Sequence, residues 1–164
     1  MILQTQQHII VDRIMNIVLE KPGAYQVELT KPGAEVTISG IFEAEHDQKK
    51  SVSVVIHHKA PNTQARTTLK GVGRDQSALK FVGRIIIDPD CGNSHSFLTE
   101  RILLLSDQAT AEAVPDLEIL TDDVSCSHAA SVSRIPEEQI FYLQSRGISR
   151  VAAEDMIVEG FLVQ

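Results

Sequence analysis

The sequence predicts a mainly β fold that ends in a short helical hairpin. Three observations carry this. From Ala24 onward, short runs alternate apolar and polar residues or are rich in β-branched side chains, as in strands that turn one face to a core. Clusters of Gly, Pro, Asp and Asn punctuate these runs. A helical period appears only after Pro136.

Taken in order, AYQVELT alternates Tyr25, Val27 and Leu29, and AEVTISGIF alternates Val36, Ile38, Gly40 and Phe42. SVSVVIHH at 51–58, ARTTLKGVG at 65–73 and LKFVGRIII at 79–87 follow. RILLL at 101–105, DLEIL at 116–120 and DVSCSHAASV at 123–132 complete the series. KPGA stands at 21–24 and again at 31–34, fitting two successive turns before two successive strands; KAPN, DPDCGN and VPD are the later turns. Aromatic residues make up 4% of the chain and Trp is absent. The core is therefore built of Val, Ile, Leu and Ala, which suits thin, regular layers. A sandwich, a barrel and a β-solenoid all fit this pattern. The small residues Gly71, Gly73, Gly83, Ala129 and Ala130 favour the stacked coils of a solenoid.

At Pro136 the character changes. Pro136 is placed at the first helical position, with Glu137 and Glu138 in the first turn, where the helix dipole favours acids. Ile140 and Leu143 share a face, and Arg146–Gly147 end the helix. Ser149 caps a second helix on which Ala153, Ile157 and Phe161 recur at helical spacing. The apolar residues of this hairpin are expected to pack it onto the end of the β unit. The division is thus residues 1–135, with 1–50 the least defined, and residues 136–164.

Composition narrows the function. The formal net charge is −7, and Lys49–Lys50 is the only adjacent basic pair. Nucleic acid and anionic membrane are therefore excluded as expected partners. Two cysteines, Cys91 and Cys126, make no disulfide framework and read as free thiols of a reducing compartment. The first residues lack a basic start followed by an apolar run, and no stretch of about 18 apolar residues occurs. A soluble cytoplasmic protein is expected.

On a strand, Cys126 and His128 point to the same side. Both can bind a transition metal. One Cys and one His do not close a site, because stable sites take roughly three or four protein ligands. The plain alternative is a buried thiol beside a hydrogen-bonded strand histidine. Cys91 sits in a turn with Asp88 and Asp90, but the spacing of a calcium loop is missing and a solvated turn is expected. His57 and His58 face opposite sides of a strand and cannot easily chelate one ion. His95 with Glu100 is a faint echo of a cupin-type metal set. GVGRDQ at 71–76 lacks the third glycine of a dinucleotide loop, so no nucleotide binding is expected.

Ile102 to Leu162 resembles the C-terminal core of the SufB/SufD family. The resemblance rests on LLLSD with P-x-LEI downstream, D-V-x-C-S-H-x-A, E-Q-x-F-Y-L-x-S-R-G-I and A-x-x-M-I-V-x-G-F, in that order. FVGRIIIDPD and HHKAPNTQARTTLKGV match the family more loosely. The resemblance implies a right-handed parallel β-helix, a β-solenoid, followed by a small two-helix domain. It also implies a non-enzymatic scaffold for iron–sulfur cluster assembly, working with an ABC-type ATPase, SufC. In the family, SufB places Glu-His-Glu at the position of His128 and a cysteine at that of Glu100. Here Ser127 and Ala129 flank His128, so the chain looks SufD-like. The implied cofactor is a transient iron–sulfur cluster or iron between two chains, held by His128 with Cys126 or Glu100, His128 being the metal ligand. The implied partners are a SufC-like ATPase and a SufB/SufD-type chain or a second copy. Phe141, Tyr142, Arg146 and Met156 would supply the ATPase contacts, Tyr142 and Arg146 foremost, with Ile157 and Phe161 assigned to the core. A stand-alone homodimeric solenoid that binds iron or another metal, and a degenerate interaction module, are the alternative readings.

Overall fold

A computed structural model describes residues 6–163; for Gln6 only the backbone is described. Met1–Thr5 of the 1–135 unit and Gln164 of the 136–164 unit lie outside the described residues. Ten strands precede two helices: β1 (Gln6–Val11), β2 (Ile14–Leu19), β3 (Gly23–Leu29), β4 (Glu35–Ala44), β5 (Lys49–His58), β6 (Gln64–Gly73), β7 (Ala78–Ile87), β8 (Ser94–Leu104), β9 (Thr110–Ile119), β10 (Val124–Arg134), α1 (Glu137–Ser145) and α2 (Arg150–Val163).

The strands deal alternately into two sheets. One runs β1-β3-β5-β7-β9, the other β10-β8-β6-β4-β2, and every pairing is parallel. Each coil thus lays one strand on each sheet, giving a β-solenoid of about four turns with two C-terminal helices. Val52 lies in register with Gly23 and Phe81, as Thr67 does with Ile38 and Leu98. Contacts therefore join neighbouring coils, as in other repeat architectures.

The inward faces meet in one core. Leu29, Ile38, Ile56, Leu69, Phe81, Ile85, Ile87 and Ile102 are fully buried within it. Phe42 and Phe81 meet edge to face at 5.8 Å. Gly71 makes room for this, since a Cβ there would stand 3.0 Å from Phe81 Cζ. Gly71, Gly73 and Gly83 thus serve close packing of the core, whereas Ala129 and Ala130 are exposed on β10.

The corners stack as well. At one, Asn62 and Asn93 take left-handed backbone (φ 59° and 53°), which Asn tolerates well, and the Asn93 amide donates to Asn62 Oδ1 at 2.8 Å. At the other, His46 and Asp75 do the same (φ 56° and 52°), and the His46 N–H donates to Asp75 Oδ2 at 2.8 Å. The second KPGA belongs to the first corner, where the Gly33 N–H donates to the Asn62 carbonyl. The first KPGA leads into β3.

Pro136 proves to be the residue before α1 and keeps extended backbone (φ −62°, ψ 132°). Its ring fits the N-cap, and the first acids follow it. Gly147 closes α1 at φ 83°, and Ser149 Oγ accepts from the Ala152 N–H at 3.3 Å. The hairpin does not cover the end of the solenoid. Val158, Ile157 and Phe161 of α2 pack on Val72 and Leu103, which lie on the outer face of the β6–β8 pair. Lys70 holds α2 there, donating to the carbonyls of Phe161 and Leu162 at 3.0 Å each. A cation against the negative end of a helix is a favourable anchor. No helix among the described residues is long and apolar enough to cross a membrane.

Candidate functional site

The coil formed by β9 and β10 is the last of the stack, and both strands are sheet edges. VPD, expected as a turn, lies inside β9, because an edge strand tolerates Pro115. Leu117, Ile119, Leu120 and Val132 are exposed at this end. The solenoid therefore stops with unpaired backbone and an apolar rim.

Alternation along β10 turns Val124, Cys126 and His128 inward and Ser125 and Ser127 out. Cys126 is in register with Ser96 and His128 with Leu98, while Ala130 stands over Glu100. Glu100 is completely buried. Its Oε2 lies 3.7 Å from His128 Nε2. That separation suits an ion pair, yet it exceeds a hydrogen bond, and burial drives both groups toward neutrality. Desolvation pushes the Glu100 carboxyl up to about 7. It lowers the His128 imidazole and raises the Cys126 thiol, against a smaller opposing backbone hydrogen bond at Ser96. The two groups stand close without a hydrogen bond, each driven toward its neutral form by burial.

Neither Glu100 oxygen has a hydrogen-bond partner, and neither do His128 Nε2, Ser96 Oγ and Thr67 Oγ1. All five atoms sit on the inner faces of β6, β8 and β10. Leaving buried polar atoms unpaired costs roughly 1–3 kcal/mol each, so such a cluster marks a place where stability yields to another demand. Carboxylate oxygen and imidazole nitrogen are a donor set that suits iron or zinc. Yet among the described residues no three His, Cys, Asp or Glu side chains converge to hold a metal. Glu100 and His128 are brought together; Cys126 lies on the same inward face, packed against the core. Two donors are fewer than the roughly three or four protein ligands of a stable metal site.

His57, His58 and Cys91 have structural partners. His57 faces out and bonds Asp88 at 2.7 Å, while His58 faces in, bonds Thr63 Oγ1 at 2.7 Å and is fully buried. Burial lowers His58 to about 4, with the neighbouring His57 a smaller cause. His95 lies on the outer face of β8 and Glu100 on the inner, which removes the cupin-like pairing. Cys91 is not in a solvated turn: it is 3% exposed and packs into the core, because the corner after β7 folds inward over the coil.

On the hairpin, Phe141, Tyr142 and Met156 are exposed. The Arg146 guanidinium stands 5.3 Å over the Tyr142 ring. Phe161 and Ile157 are turned to the solenoid. The exposed side chains of β9 and the buried Lys70 went unread in the sequence. The DLEIL run held the clue to the rim, since its apolar residues had to face either a core or a partner.

The chain matches the family model described as SUF system FeS cluster assembly, SufBD core domain, over residues 23–161. It is 31% identical over 143 residues to an iron–sulfur cluster assembly SufBD family protein of Mycobacterium leprae, covering 82% of this chain and 36% of that protein. It is 33% identical over 130 residues to a protein of the same description from Staphylococcus saprophyticus, covering 79% of this chain and 28% of the relative. A Staphylococcus epidermidis protein of that description is 32% identical over 130 residues, with the same shares covered. The chain thus spans about a third of the length of the curated relatives it matches.

Proposed function

Because the chain belongs to the SufBD family of iron–sulfur cluster assembly proteins, we propose that it is a SufD-like scaffold, without catalysis of its own, on which iron or a nascent cluster is held between two chains. The observation that carries this is the placement of Glu100 and His128. Glu100 is fully buried on β8 and His128 partly buried on the edge strand β10, whose other side is open; they stand 3.7 Å apart and neither has a hydrogen-bond partner. A second SufB/SufD-type chain that pairs with β10 would bring the remaining donors and cover the apolar rim; strand addition of this kind is a common recognition mode. Iron enters as cargo, taking carboxylate and imidazole donors from this side. The SufD-like assignment rests on Ser127 and Ala129 beside His128 and on Glu100 in place of a cysteine.

The exposed face of the hairpin, with Phe141, Tyr142, Arg146 and Met156, is the proposed seat of a SufC-like ATPase. Aromatic, Met and Arg side chains are the types enriched at interface cores. Coexpression of the chain with an ABC-type ATPase and a longer SufBD chain, followed by size-exclusion chromatography, tests the assembly. A stable complex containing all three supports the proposal. A homodimer that leaves both partners unbound contradicts it and favours a stand-alone metal carrier.

A further inference from the structure

Gly83 is the only glycine of β7, and its inward neighbours Phe81 and Ile85 are fully buried. Across the interior it faces β8 of the other sheet. A Cβ at this position would stand 2.2 Å from Leu98 Cδ2 and 2.9 Å from Glu100 Oε1. Side chains from β8 therefore occupy the space that any other residue at 83 would fill. Neither oxygen of Glu100 has a hydrogen bond to hold it, so the carboxyl is placed by the shape of the interior. With Oε1 seated against Gly83, Oε2 is left facing His128. Gly71 serves differently, since its missing Cβ makes room for apolar atoms alone.

We infer that Gly83 is a positioning residue for the Glu100–His128 pair: its missing Cβ seats one carboxyl oxygen against β7 and aims the other at the histidine. The significance of the pair rests on the proposed function, but its geometry is measured independently of any iron or partner.

Replacing Gly83 alone also collides with Leu98, so the test is made in a Leu98→Ala background, which removes that clash. The readout is the nuclear Overhauser contact between the His128 ring and the Glu100 side chain in the isolated chain, with the melting temperature as the control for folding. Leu98→Ala should keep the contact. Gly83→Ala/Leu98→Ala should lose most of it, several-fold in intensity, while still melting cooperatively. An unchanged contact in the folded double variant overturns the inference. If the double variant does not fold, adding Glu100→Asp withdraws the carboxyl from residue 83 and should restore folding. Failure of that rescue overturns it equally.

Discussion

Lys70 Nζ donates to the Phe161 carbonyl at 3.0 Å, from the outer face of β6 to the last turn of α2. Arg101, the register neighbour of Lys70 on β8, stands 5.2 Å over the Phe161 ring. The two cations and one aromatic form the fastening between solenoid and hairpin. Lys70→Met keeps the apolar stem and loses the hydrogen bonds to the Phe161 and Leu162 carbonyls. It should cost about 1–3 kcal/mol and should speed amide exchange in Arg150–Val163 while leaving β5 and β7 protected. Exchange read by mass spectrometry checks this; unaltered exchange in α2 refutes the anchor.

Two buried groups titrate with opposite consequences. His58 is lowered to about 4 from an ordinary 6.5, so it stays neutral when folded, and its contribution is lost as pH falls from 6.5 to 4. Glu100 is raised from 4.5 to about 7, so it stays protonated when folded, and its contribution is lost as pH rises from 4.5 to 7. Each limb amounts to about 3 kcal/mol. Between pH 4.5 and 6.5 the slopes oppose and largely cancel in the native chain. Glu100→Gln should unmask a stability that climbs with pH through this window and should exceed the native chain at pH 8. His58→Asn should unmask the reverse slope. Urea denaturation at several pH values decides; parallel curves for all three proteins contradict the assignment.

The open rim makes a further prediction. Leu117 and Val132 are each 44% exposed, so Leu117→Lys and Val132→Lys should change the stability of the isolated chain by no more than about 0.5 kcal/mol. Burial of either lysine under a second chain should weaken association at least tenfold, which calorimetric titration with a longer SufBD chain would read. Unchanged affinity places the interface elsewhere.

Tyr142→Ala/Arg146→Ala removes the stacked pair on the hairpin. Both residues are exposed, so folding should be unaffected, while capture of an ABC-type ATPase in a pull-down should fall strongly. Undiminished capture rejects the proposed seat.

Most strands from β3 onward were legible because their inward faces alternate cleanly, as in Val36, Ile38, Gly40 and Phe42; the first half of β9 was not, since its VPD read as a turn. β1 and β2 were not, since Ile10, Ile14 and Val18 are apolar yet exposed and spoil the alternation. The first half of β8 was hidden because its inward face carries Ser94 and Ser96, which read as polar loop. The coil period was obscured by corners of unequal length: Asp47-Gln48, Asp75-Gln76 and Asp107-Gln108 recur at the stacked turns, but their flanks differ. Alternation placed Cys126 and His128 on one face. The approach of Glu100 to His128 needed the diagonal register of β8 and β10, and its seat against Gly83 needed the opposite sheet, so neither is written in local sequence.

The central claim is that Glu100 and His128 hold iron or a nascent cluster between two chains. Its most direct test is the iron and acid-labile sulfide content of the anaerobically assembled complex, for the native chain and for His128→Ala. Iron and sulfide present with the native chain and lost with His128→Ala, in a complex that otherwise stays intact, is the predicted result. Equal iron and sulfide in both complexes would contradict it.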